Sequence, residues 1–553
     1  MIKKYVIYQS ALYLYGIVLI KCYNKIFLFL LAMIIVPQAN YPQDSTTIKK
    51  HLNYLGSDLF EGRGTGTIGG ELSAKYLALC SNNYELLPMG YENTFYQYIP
   101  MHGIKPKDDS KIIIINNTKD TLQIKKDFQF YHVGGRMFAP NSISLVFVGY
   151  GIAAPEFNYD DYENVNVAGK IVLFFEGEPS SNNPEYFNGI YPSNYSFAGT
   201  KQKIALSKGA VGTIQIPTYS CQLDSDWEKL NQEFFFEDIS LAYLPTPLLS
   251  ILLNPKSGEL IFNSSKFSFN SVMEMFQDNK MKSFELESKL LLEPKYDRRD
   301  FVAPNVVGYL QGTDNKLNDE FIVISAHYDH LGVGLAIESD SVYNGVFDNA
   351  IGVSALLELA KLFSENNSSL KRSIIFLFVT GEEKGLLGSS YFVDHPPIPK
   401  EKIVANINID GLAVIDDFNS VVGIGSEFSS LKKILVETAK KNKLNVDEIP
   451  SEFDSYESFF HSDQLSFALA GIPSILISDG IDYVNYNREA AVMKWMDYIK
   501  DKYHSPFDDL SQKINYKAVK KHIKILYDFI LETANSENQI EWNNSSPYQR
   551  DKK

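Results

Sequence analysis

Five short segments gather histidine and acidic residues: Ser325-Ala-His327-Tyr-Asp329-His330, Phe347-Asp348-Asn349-Ala350, Thr380-Gly381-Glu382-Glu383, Asn408-Ile-Asp410-Gly411 and Tyr503-His504-Ser-Pro506. Two divalent ions held about 3.5–4 Å apart repel each other and need anionic ligands. One carboxylate can bridge them, while each ion also takes a terminal carboxylate and an imidazole. His327, Asp348, Glu383, Asp410 and His504 supply that set of two histidines and three carboxylates. Such nitrogen and oxygen ligation suits zinc, with cobalt or manganese as substitutes. Glu382, next to a ligand, stays free to act as the base on a water between the metals. Asp329 stands two residues beyond His327. If the strand continues, its carboxylate shares the imidazole's face and would accept the other ring N–H. Taken singly these residues mean little. A lone Asp before a helix is usually a cap, and a Glu pair is usually solvated. Their joint placement carries the case.

The elements around them would bring these segments together. From Val302 the chain alternates strand and helix patterns. Asn305–Leu310 and Phe321–Ala326 read as strands, Ala350–Phe363 as an amphipathic helix, and 373–379 and 403–409 as apolar runs of strands buried on both faces. Helical patterns follow over 431–443 and in the stripe Val519, Ile523, Leu526 and Ile530. The fold class is therefore α/β, a mostly parallel mixed sheet flanked by helices. Active sites in open α/β sheets lie at the carboxyl ends of strands, where four of the five segments fall. The fifth is a loop before the last helix.

Upstream, the pattern changes near Phe128. Strand-like Ile143–Val148, Lys170–Phe175 and Ala210–Ile216 surround a helical 201–208, so residues 126–288 read as a β-rich unit whose role is structural or that of a lid. Residues 45–125 open with helical patterns and the glycine-rich stretch Glu61–Gly70, and 536–553 form a polar, frayed tail. Residues 26–36 form an apolar run after Lys25 and before Pro-Gln-Ala39, which makes 1–39 a cleaved signal peptide or, failing cleavage, an anchor. The protein would then be secreted or periplasmic, touching a membrane only through an uncleaved segment. The net charge of −15 repels phosphate backbones and argues against nucleic-acid binding. Three cysteines are too few for a disulfide framework or a thiolate cluster, so metal must be held by His and carboxylates.

His-Tyr-Asp at 327–329, Asp-Asn-Ala at 348–350, Gly-Glu-Glu at 381–383, Asn-Ile-Asp at 408–410 and Tyr-His-Ser-Pro at 503–506 resemble, in order and approximate spacing, the motifs of the co-catalytic two-zinc aminopeptidases. That group holds the bacterial leucyl aminopeptidases and, more distantly, glutamate carboxypeptidase II. The resemblance implies a zinc exopeptidase domain over 289–535, with 45–125 as its N-terminal part. Residues 126–288 resemble an inserted protease-associated domain. His327 and Asp410 would hold one Zn2+, Glu383 and His504 the other, with Asp348 bridging. Glu382 would be general base, Asp329 would orient His327, and Tyr503 resembles a tyrosine that donates to the tetrahedral oxyanion in some relatives. A peptide with a free N-terminus would be the substrate, its α-amino group taken by one zinc. The same scaffold also carries dipeptidases, carboxypeptidase-like enzymes, glutaminyl cyclases and non-enzymatic receptor-like proteins. His461-Ser-Asp463-Gln464 departs from a late motif that often has His at Gln464, which puts substrate contacts there in doubt.

Overall fold

The computed structural model describes residues 46–553 except 118, 133–140, 184, 188, 190–192, 194, 219–223, 244–248, 264, 367–369, 451–452, 454–458, 460, 545, 547 and 549–553. The expected signal or anchor at 1–39 lies outside these residues. No helix among the described residues is long and apolar enough to cross a membrane.

Among the described residues, ten strands form a larger sheet and eight a smaller one. The centre of the larger sheet is β1 (Phe321–His327), β2 (Ser373–Val379), β3 (Ile403–Asn408) and β4 (Ser474–Asp479), paired in parallel in the order β2-β1-β3-β4. β1 and β2 are buried along their whole length, as their uninterrupted Ile, Val and Phe require. Parallel pairing gives way on both sides. Tyr296–Leu310 runs antiparallel to β2, and Ser420–Ile424 runs antiparallel to β4. Apolar periodicity reports burial, not strand direction, so the mixed flanks were not readable from it.

α1 (Ile351–Glu365) packs between the sheet and α2 (Tyr516–Asn535), and Ile351 through Ala360 are all buried. Expected to be amphipathic, it is covered on every side, because the helix Ile68–Asn83 of the N-terminal segment also lies against it.

The second sheet has eight strands, and its span differs from 126–288. Lys111–Ile115 and Lys119–Gln123 belong to it, the former paired with Phe284–Glu293. Conversely, Asp238–Leu241, inside the expected unit, pairs with Tyr96–Pro106 of the larger sheet. Alternate residues cover both faces. Leu145, Phe147, Leu173 and Phe175 pack into one cluster, while Val146, Val148, Val172 and Phe174 pack into another. The tail is not frayed where it is described. Trp542 is buried against Val422, Ile424, Phe459 and Leu476, and Tyr548 meets Phe428 and Phe459. Two aromatic rings in a polar stretch gave no periodic signal.

Candidate metal centre

His327 ends β1, Glu382 and Glu383 follow β2, and Asp410 follows β3, so neighbouring parallel strands deliver three of the segments to one edge. Asp348 lies in the turn before α1. Gly345, with φ +57, makes that turn possible, since a Cβ there would sit 2.1 Å from the Asp348 carbonyl oxygen and 2.4 Å from His330 Cγ. His504 lies in the loop before α2 and holds the left-handed φ of +54, uncommon for a non-glycine residue.

The five expected ligands meet. His327 Nε2 is 3.2 Å from Asp348 Oδ1 and 3.2 Å from Asp410 Oδ1. His504 Nε2 is 3.1 Å from Glu383 Oε2 and 3.4 Å from Asp348 Oδ2. Asp348 thus reaches both groups with its two oxygens. Separations of this size are those of two donors each about 2.0–2.2 Å from one tetrahedral ion. The protonation pattern fits the same conclusion. His327 Nδ1 faces the Asp329 carbonyl at 3.1 Å, and a carbonyl only accepts, so Nδ1 carries a hydrogen and Nε2 is the ring atom aimed at the two carboxylates. Nε2 of His504 is buried with no aligned hydrogen-bond partner. Burial pulls both imidazoles down, yet Asp410 and Glu382 around His327, and Glu383 and Asp348 around His504, hold them well above their ordinary range. This donor set lacks positive charge, and a pair of divalent cations fits it.

Asp329 acts differently from expectation. β1 stops at His327, so the next side chains do not follow strand alternation, and the Asp329 carboxylate is 4.0 Å from Nδ1. It instead accepts from Thr65 Oγ1 at 2.9 Å and from the Glu382 N–H at 3.2 Å, tying the β1 and β2 ends together. Burial pushes Glu382 well above the usual carboxylate range; His327 opposes the shift, while Asp410 and Glu383 add to it. Tyr503 stacks on His504 with ring centres 3.9 Å apart.

Several residues of this site stood outside the expected ligand set. His330 Nδ1 lies 2.6 Å from Glu383 Oε1, a third buried imidazole at the centre. The Asp508 carboxylate accepts from the N–H groups of Phe347 and Asp348, Asn349 bonds Ile409 O and Gly411 N, and Ser462 Oγ donates to Asp410 Oδ2. Arg63, within the glycine-rich stretch, is buried and donates to the carbonyls of Leu55, Tyr328, Asn344 and Gly345. It clamps the β1 end to the Asp348 turn. Position was the only cue: His330 and Asn349 lie inside two of the five segments, and Asp508 lies four residues beyond His504. Gln464 is buried and bonds Asn408 and the Phe459 carbonyl, so the departure from His falls on packing.

The centre opens into a cavity of about 880 Å³ lined by Glu382, Glu383, Asp410, Tyr503 and His504 and by apolar residues from Ser420–Ile424, β4 and the helix Arg488–Asp501. The smaller sheet's chain reaches its rim, where Phe197 meets His461 at 6.4 Å.

The chain is similar to known peptidases. "Probable leucine aminopeptidase 2" of Aspergillus oryzae is 29% identical over 180 residues, 31% of this chain and 32% of that protein. A vacuolar membrane protease of Pyrenophora tritici-repentis is 34% identical over 105 residues, 17% of this chain and 10% of that one. The chain thus spans about a third or less of the length of these curated relatives. The aminopeptidase from Aneurinibacillus sp. strain AM-1 shares the fold, with a TM-score of 0.53 and 16% identity over 92% of this chain and 98% of that one. The sequence model of Peptidase family M28 matches residues 305–530, the stretch that carries all five expected ligands.

Proposed function

We propose that the chain is a zinc-dependent aminopeptidase that removes N-terminal residues from peptides with a free α-amino group. The observation that supports it best is the convergence of two imidazoles and three carboxylates, with donor atoms 3.1–3.4 Å apart, beside Glu382 in one cavity. In this reading His327 and Asp410 hold one ion, Glu383 and His504 the other, and Asp348 bridges them. Bound there, two zinc ions would supply charge to polarise a carbonyl and to lower the pKa of a water. The protein's own groups do the rest. Glu382 takes the proton of the attacking water and returns it to the leaving amine, a task suited to a carboxyl whose pKa burial has raised. The Tyr503 hydroxyl donates to the carbonyl oxygen as it gains charge. The Asp329 carbonyl and the Asp508 carboxylate keep His327 and Asp348 aimed. The β-rich unit serves as an accessory domain at the cavity rim, and residues 1–39 direct export.

The test is hydrolysis of aminoacyl anilides against their N-blocked counterparts, with and without added zinc, alongside elemental analysis. Cleavage of the free-amine series alone, with about two zinc ions per chain, is expected. Cleavage of N-blocked substrates instead would point to another activity of the same scaffold, and zinc-free, inert protein would end the reading.

A further inference from the structure

Away from the metal ligands the cavity becomes a chamber with apolar walls, formed by Val422, Ile424, Leu476, Ile481, Trp495 and Ile499. One acid breaks this lining. Asp479, the last residue of β4, also lines the chamber. Its position is fixed by a relay: Trp495 Nε1–H donates to the Tyr483 hydroxyl oxygen at 2.9 Å, and the Tyr483 hydroxyl donates to Asp479 Oδ2 at 2.6 Å. Ser478 Oγ donates a long bond of 3.4 Å to the other oxygen. Burial pushes the Asp479 carboxyl up to about 6, so it is mostly ionised at neutral pH, and hydroxyl and backbone donors surround it without a cation.

The charges of the cavity leave Asp479 over. Of its lining acids, Glu382, Glu383 and Asp410 belong to the metal centre. The remaining charged lining residue is Asp479, and no Lys or Arg lines the cavity among the described residues. An apolar channel with an anion in its wall complements a side chain that has an aliphatic stem and a cationic end.

We propose that Asp479 is a specificity-determining residue that makes the enzyme favour peptides beginning with lysine or arginine. The proposal rests on the aminopeptidase reading and adds the substrate class to it.

The experiment uses the zinc-loaded full chain and two pairs of anilides matched in shape: lysine with norleucine, and arginine with citrulline. Wild type is expected to show kcat/KM about tenfold or more higher for each cationic member, mostly through KM. Asp479→Asn, nearly identical in shape, should bring both ratios to about one. Wild-type ratios at or below one overturn the proposal, as does an Asp479→Asn protein that folds, binds zinc and keeps the preference. If Asp479→Asn fails to fold, the two wild-type ratios decide alone. Cleavage of norleucine and citrulline substrates without preference sinks this inference only. Failure to cleave any free-amine anilide sinks the aminopeptidase reading with it.

Discussion

Lys201 in the smaller sheet's domain and the His327–His504 pair in the larger one are all basic groups within the fold, yet their surroundings treat them oppositely. Lys201 Nζ donates to the carbonyls of Phe175 and Gly177 and lies over the rings of Tyr150 and Phe174. Nearby Asp161 accepts from the N–H groups of Tyr150 and Ile152 and from the Tyr159 hydroxyl. Burial brings Lys201 down to about 7 and Asp161 up to about 7, but each finds its donors or acceptors in adjacent loops. At the metal centre the polar groups come from five distant segments and face one another. Carboxylates crowd carboxylates, and a buried imidazole nitrogen is left without an aligned partner. Polar groups satisfied by their own neighbours hold a fold together. Groups that converge unsatisfied leave room for an ion.

The largest effect should come from Asp348→Ala. Removing the ligand shared by both groups should drop zinc content below one per chain and hydrolysis below detection, while far-UV circular dichroism stays unchanged. Full zinc occupancy in that variant would break the contrast. Glu382→Gln should keep the metals and lower kcat by about 10²–10⁴-fold; a near-normal rate would remove Glu382 from its role.

His522 sharpens the comparison from inside the larger domain. Its Nδ1 accepts from the Ala413 N–H and its Nε2–H donates to Ile477 O, so it is buried, neutral and satisfied. Burial lowers it from 6.5 to about 4. Between those values the unfolded chain binds a proton that the folded chain refuses. Stability is therefore full above pH 6.5 and falls as pH drops toward 4, by about 3 kcal/mol for this residue. His522→Gln should flatten that part of the urea-midpoint profile; an unchanged slope would count against it. The smallest effect is expected for Lys201→Met, which strands two carbonyls and should cost about 1–3 kcal/mol without altering zinc content. A loss of zinc would mean the two regions are not independent.

The centre was legible where chemistry and position coincide. His327, Asp348, Glu383, Asp410 and His504 have the right donor types just beyond apolar runs, so strand ends could be guessed from local pattern. β4 was not legible, because the apolar run Ile-Leu-Ile at 475–477 between Pro473 and Ser478 is too short for periodicity to tell a strand from a buried helical turn. The edge of the smaller sheet was misplaced because its strands at 111–123 find their partner some 170 residues later. Neither periodicity nor composition carries pairing over that distance.

Sequence alone settled which atoms can bind metal, their order along the chain, and the buried strands that lead to them, because side-chain type and apolar spacing are local properties. Only the tertiary structure decided that the Asp329 carbonyl and not its carboxylate meets His327, that Arg63 and Asp508 brace the centre, and that Asp479 stands in the wall of its cavity. Those contacts join residues brought close by packing, and the free energy of packing belongs to the assembled core rather than to any one segment.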